Sequence, residues 1–189
     1  MTSTTYQKTN FIEIITGEST RWDAVNIAYG RRLNDGQLRY PITLLVPKSD
    51  IDTVYSIEAA MKTIHVNHPE LFMDEFGQTI PFMAVPSLLK DGDLHPYHLP
   101  EYRDCWYIPA SNKRPPYVID EYGCTVSPKA IHDGDYGRAL ISVYATNFNG
   151  NPGFWARIEG LQFLERGEQL GNFAPPVVFP INEKPVAED

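Results

Sequence analysis

Two runs of alternating side chains, Tyr136 to Phe148 and Phe154 to Leu164, flank the pentapeptide Asn149-Gly150-Asn151-Pro152-Gly153. Alternation of period two over that length belongs to strands. Asparagine, glycine and proline between two such runs are turn chemistry, so the segment predicts a long β-hairpin. A lone hairpin is marginal in water, so the rest of the chain must supply elements that cover its apolar face. In the first strand Ala139, Ile141, Val143 and Ala145 share one face, small and branched as a core requires. Tyr136, Arg138, Leu140, Ser142, Tyr144, Thr146 and Phe148 share the other. In the second strand Trp155 and Arg157 alternate with Phe154, Ala156 and Ile158, and Gly160 marks a candidate bulge.

The remaining elements are shorter. FIEIITG and RWDAVNIAYG read as strands, Asn34-Asp35-Gly36 as a turn, and LRYPITLLVPK as a strand that Pro41 places at an edge or a bulge. Ser49 or Asp50 can cap a helix with an apolar side of Ile51, Val54, Ile57, Met61 and Ile64, ended by His65, His68 and Pro69. Residues 66–104 are acidic and rich in proline and glycine, which predicts a long irregular excursion, an arm. A second hairpin, Cys105 to Pro109 against Tyr117 to Asp120, is expected beyond it. With 16 prolines and 13 glycines scattered and unrepeated, the fold class is mainly β with one helix. The expected organisation is a single domain over 1–173 and a proline-rich, mobile tail over 174–189.

Charge and cysteine content narrow the function. A net charge of −8 excludes a histone-like coating of polyanions by bulk positive charge. The charge is segregated, however: residues 31–48 hold four cations against Asp35, while 66–104 hold seven acids against Lys90 and Arg103. A positive groove on an acidic body is compatible with that distribution, as are two ordinary solvated faces. No apolar run is long enough to span a bilayer and no signal-peptide core follows the polar start, so the expectation is a cytoplasmic protein with no membrane partner. Cys105 and Cys124 read as reduced thiols, although a bridge stays open. Neither His95, His98, Cys105 and Cys124 nor His65, His68 and Glu70 has metal-ligand spacing, so no cofactor is expected. Asp91, Asp93, Asp133 and Asp135 stand in Asp-Gly-Asp turns rather than in a nuclease-like set, and no phosphate loop or serine elbow is present. The chain does not read as an enzyme.

The outward face of the long hairpin interleaves rings with cations and hydroxyls. Single-stranded nucleic acid presents unpaired base faces and a phosphate backbone, so a protein that holds it needs stacking rings and spaced cations. Trp106 and Tyr107, followed by Lys113 and Arg114, repeat that combination in DCWYIPASNKRPPYVID. Two other readings fit the same residues: the rings pack a second layer, or they dock a protein partner, as in a virion or protein-interaction module.

In order, YPITLLVPKSD, SIEAAMK, LKDGD, CWYIPASNKRPPYVID and DGDYGRALISVYATNFNGNPGFWARIEGLQFLERGEQLG resemble a family of single-stranded DNA-binding proteins encoded by bacteriophages and prophages. The resemblance runs from about Tyr40 to Gly171. It implies a five-stranded Greek-key barrel of the oligonucleotide/oligosaccharide-binding (OB) type with one helix and long inserted loops. It further implies sequence-tolerant binding of single-stranded DNA in phage replication or recombination, in the cytoplasm of the bacterial host. Phage recombinase or replication proteins are then the further partners, and a homo-oligomer is open. Carried onto this sequence, the nucleic-acid-binding set is Trp106, Tyr107, Lys113, Arg114, Arg138 and Tyr144; alternation adds Phe148, Trp155 and Arg157.

Overall fold

Short strands joined by turns dominate, as the scattered prolines and glycines predict. The structure, a computed structural model, describes residues 10–34 and 36–170. In chain order the elements are β1 (Phe11–Ile15), β2 (Arg21–Asp23), β3 (Arg31–Arg32), β4 (Leu38–Pro47), α1 (Ile51–Asn67), β5 (Lys90–Asp91), β6 (Cys105–Asn112), β7 (Tyr117–Ile119), β8 (Tyr136–Phe148) and β9 (Asn151–Glu165). The long hairpin forms as β8 and β9, with Asn147 opposite Pro152 and Phe148 opposite Asn151. The turn is tighter than the pentapeptide suggests. Asn149 and Gly150, at φ 52° and 78°, make it alone, both left-handed as a two-residue reversal between twisted strands requires.

Pairing runs β2 to β4 to β6 to β9 to β8 and back to β2, a ring of five strands in which β6 and β9 are parallel. The mainly β class with one helix and long inserted loops therefore stands, but the ring is not a clean barrel. It closes through a single register pair at Arg21 and Tyr136 and another at Ala110 and Ala156. β1 adds to β8 outside the ring, β7 to β9, and β3 and β5 to β4 and β6. Inside the ring Trp22, Ile42, Leu44, Val46, Ile108, Ile141, Val143 and Ile158 are shut off from solvent. The β8 face of Ala139, Ile141, Val143 and Ala145 is buried throughout, as alternation requires.

The helix cap is Asp50, whose Oδ1 accepts the Thr53 N–H at 3.1 Å. That start turns Thr53, Ile57, Ala60, Met61 and Ile64 inward. Ile51, in the first turn, points outward and is 72% exposed, so it does not belong to the apolar side.

Three further expectations are corrected. Cys105–Pro109 and Tyr117–Asp120 do not form a hairpin: β6 pairs antiparallel with β4 from Tyr40/Asn112 to Pro47/Cys105, and β7 pairs parallel with β9. Pro115-Pro116 holds the intervening chain extended, so it crosses to β9 instead of turning back. The strand in RWDAVNIAYG stops at Asp23, because Ala24 takes φ 49° and leaves the extended region. Residues 66–104 are not an arm. Phe72, Val85, Leu88 and Leu89 enter the core beside α1, and the Phe72 ring lies 5.2 Å from that of Phe154. The proposed tail, 174–189, lies outside the described residues.

Candidate nucleic-acid interface

Strand register places the outward-facing side chains of β1, β8 and β9 in rows across the sheet. Phe11 stands opposite Tyr144, and Tyr144 opposite Trp155, which gives a row of three aromatic rings. The next outward row holds Glu13, Ser142 and Arg157. The one after holds Ile15, Leu140 and Gly160, continued onto β7 by Tyr117. Trp155 is 54% exposed. At Gly160 the register skips from Ile158 to Gly160, so Glu159 is the extra residue of a bulge and its carboxylate turns onto the outward face.

Arg157 lies within reach of two rings, its guanidinium carbon 5.5 Å from the centre of Phe11 and 6.0 Å from that of Tyr144. It is fixed there by Glu159, whose Oε1 accepts from Arg157 Nε at 2.5 Å and from Ser142 Oγ at 2.8 Å. Asn112, at the end of β6, donates to the other oxygen of Glu159 at 3.2 Å and to the Ile158 carbonyl at 2.7 Å. Partial burial would raise the Glu159 pKa; the hydrogen bonds from Arg157 and Ser142, the Arg157 charge and Asn112 outweigh it and hold the carboxyl below its ordinary value.

Two depressions flank the aromatic row and share Ser111 and Tyr144. The larger, about 490 Å³, is bordered by Arg39, Lys113, Arg114 and Arg157. The other, about 370 Å³, runs past Arg31, Pro41, Pro109 and Trp155. Among the described residues Arg31, Arg39, Lys113 and Arg114 have no carboxylate partner. Together they form an open trough with stacking surfaces on its floor and cations along its rim.

The candidate residues named from the sequence are distributed over the molecule. Lys113, Arg114, Tyr144, Trp155 and Arg157 meet in this trough. Phe148, 76% exposed, projects at the hairpin tip on the same face. Arg138 lies beyond the Ile15 row and is ion-paired with Glu18. Trp106 sits on the inward side of β6, packed against the main core with Lys48 Nζ 5.2 Å over its ring. Tyr107 faces outward but is covered in a second cluster with Leu45, Tyr102 and Leu170, its ring 5.3 Å from Tyr102 and 5.1 Å from His95. Phe11, Arg31, Arg39 and Glu159 also border the trough, and the sequence alone does not mark them as site residues. The cation-rich run 31–48 was the signal for the two arginines; nothing in local sequence marks which residue β1 sets beside Tyr144.

The acidic turns do structural work. Asp91 and Asp93 each bind Lys48 Nζ at 2.6 Å. Buried Asp135 pairs with Arg166 at 3.0 Å and accepts the His132 N–H, while Asp133 accepts the Val25 N–H at 2.7 Å. Cys105 and Cys124 are free thiols, and burial pushes the Cys105 pKa up, away from reactivity. Among the described residues no three of His, Cys, Asp and Glu gather as metal ligands, and no helix is long and apolar enough to cross a membrane.

A five-stranded ring with a parallel closing pair, bearing an open trough of rings and cations, defines a small OB-like protein. Residues 12–177 match the family described as Enterobacter phage Enc34, ssDNA-binding protein. The chain belongs to that phage single-stranded DNA-binding protein family, one of binding proteins and not of enzymes. It is 30% identical over 139 residues to putative protein p50 of Acyrthosiphon pisum secondary endosymbiont phage 1, an alignment covering 70% of this chain and 72% of that one. The Enc34 protein solved in complex with ssDNA superposes with a TM-score of 0.63 at 21% identity, over 87% of this chain and 91% of that chain. The bacteriophage T7 single-stranded DNA binding protein gp2.5 gives 0.57 at 12% identity, over 88% and 97%. At those identities the two structures establish a shared fold.

Proposed function

We propose that this protein binds single-stranded DNA with little sequence preference, bases stacking on Tyr144 and Trp155 while Arg31, Arg39, Lys113 and Arg114 take the phosphates. The observation that carries this reading is the aromatic row Phe11, Tyr144 and Trp155 beside four cations without carboxylate partners among the described residues. Arg157, held near Phe11 and Tyr144 by its ion pair with Glu159, supplies a further planar cation for stacking. Phe148 and Arg138 extend the same face at its two ends. Trp106, packed against the core behind β6, and Tyr107, covered beside Tyr102 at the far end of the strand, contribute through support. The unpaired cations favour a polyanion over an apolar protein partner. Binding of this kind suits a role in phage DNA replication or recombination in the host cytoplasm, where replication or recombinase proteins would meet the coated strand.

The test is titration of a fluorescent oligonucleotide at several salt concentrations with duplex as the control. Tight binding of the single strand, weaker binding of duplex and affinity that falls with salt are expected. Equal affinity for both forms, or none for either, overturns the reading.

A further inference from the structure

Past Glu159 the outward face changes character. The row Ile15, Leu140, Gly160, Tyr117 crosses four strands, and its third member has no side chain. Gly160 is not among the residues at positive φ, and a Cβ there would meet only the Tyr117 carbonyl, at 3.3 Å. Backbone conformation therefore does not demand glycine; its effect is to leave the middle of the row empty. The result is a hollow of about 290 Å³ walled by Ile15, Leu140 and Tyr117. Ile15 and Tyr117 are 65% and 61% exposed, an uncommon position for two large apolar groups that face one another across a gap. Gln162 lines the same hollow, and among the described residues its amide has no hydrogen-bond partner.

Glu159 lines both this hollow and the cationic trough, so the two adjoin at its carboxylate. At the far rim Arg138 is committed to Glu18. A phosphate entering the hollow would find no free cation, since Arg157 is paired with Glu159 and Arg138 with Glu18. A neutral flat ring would find apolar walls, a tyrosine face and an amide that donates and accepts. Resting on the reading that the trough holds single-stranded DNA, we infer that the hollow receives one unstacked nucleobase of that strand, with Tyr117 as its stacking wall and Gln162 bonding its edge. The unpaired cations, all on the trough side of Glu159, keep the backbone there. Because an amide offers both a donor and an acceptor, the subsite accommodates any base edge and does not impose a sequence. Leu140 is four residues from Tyr144 along β8, about 13 Å at the strand rise, so an extended strand must run at least two nucleotides beyond the aromatic row to reach it.

The experiment scans an abasic nucleotide along an oligothymidylate bound by the full chain, in the wild type and in Tyr117→Ala, Tyr117→Phe and Gln162→Ala. The wild type should show one position, two or more nucleotides from those most sensitive to Trp155→Ala, where loss of the base weakens binding about 5-fold or more. Tyr117→Ala should abolish that sensitivity, Tyr117→Phe should keep it, and Gln162→Ala should reduce it, all with unchanged affinity for oligonucleotides too short to reach the hollow. Should Tyr117→Ala melt early, Gln162→Ala carries the test, since it removes no apolar wall. Identical abasic profiles in the wild type and in the Tyr117→Ala and Gln162→Ala variants would overturn the base subsite while leaving DNA binding by the trough intact. Absence of any oligonucleotide binding by the wild type would overturn both.

Discussion

Arg31 and Arg39 stand directly opposite each other across β3 and β4, a like-charge pair that costs the free protein stability and is relieved when an anion sits between them. Their neighbours divide into residues whose loss is felt by the ligand and residues whose loss is felt by the fold. Trp155→Ala removes a half-exposed ring, so binding of single-stranded DNA should weaken by about 1–3 kcal/mol, roughly 5- to 150-fold, with the thermal melt nearly unchanged. Trp106→Ala removes a ring packed against the core and under Lys48; it should cost about 1–3 kcal/mol of stability in a denaturant titration and leave affinity near wild type once the protein is folded. A fall in affinity with Trp106→Ala as large as that with Trp155→Ala would move the interface to the other end of β6. Glu159 carries a pH signature. Its folded pKa lies below the unfolded value, so its contribution to stability is complete above the ordinary glutamate range near ~4.3 and is lost as pH falls through the folded value. Acid titration of stability should therefore be shallower in Glu159→Gln than in the wild type below about pH 5, and parallel acid limbs would show that its hydrogen bonds do not favour the charged form.

At the scale of elements, β2 meets β8 through one register pair, Arg21 and Tyr136, next to Gly137. There Gly137 lets two backbones and a tryptophan approach: a Cβ would lie 2.0 Å from the Gln162 carbonyl oxygen and 2.8 Å from the Trp22 ring. Gly137→Ala should lose about 1–3 kcal/mol or more by chemical denaturation, whereas Gly160→Ala, with only a 3.3 Å contact to the Tyr117 carbonyl, should stay within about 1 kcal/mol of wild type. Equal stability of the two would mean that Gly137 does not lie pressed between the β9 backbone and the Trp22 ring. The same contrast explains what the sequence disclosed. Alternation along β8 and β9, the left-handed pair Asn149 and Gly150, and the Asp50 cap are local, so the hairpin, its faces and the helix could be read from neighbours in the chain. Pairing partners are not local. Nothing between Cys105 and Asp120 indicates that β6 prefers β4 over β7, because that choice rests on an eight-pair ladder with residues far upstream. For the same reason Tyr144, Trp155 and Arg157 are legible as one face, while Phe11 joins that face only through the pairing of β1 with β8, and Arg39 only through the closed ring.

Across the whole molecule the net charge of −8 is less informative than how its members are partnered. The acidic segment 66–104 does not reach the trough with its Asp91 and Asp93; both are spent on Lys48, whose own pKa rises through those hydrogen bonds. Arg31, Arg39, Lys113 and Arg114 have no such partner among the described residues. An acidic protein can therefore present a local positive field, and the difference between spent and unspent cations is measurable. Each phosphate neutralised on a single strand contributes about 0.7 to the slope of log affinity against log salt. Arg31→Ala and Lys113→Ala should each flatten that slope by about 0.7 and weaken binding most at low salt. Lys48→Ala should leave the slope as in the wild type and instead lower stability, since it strands Asp91 and Asp93 beside each other without their cation. If Lys48→Ala flattened the slope as much as Arg31→Ala, the phosphate path would run over the Asp91 turn, and the trough of Tyr144 and Trp155 would no longer be the site where the strand lies.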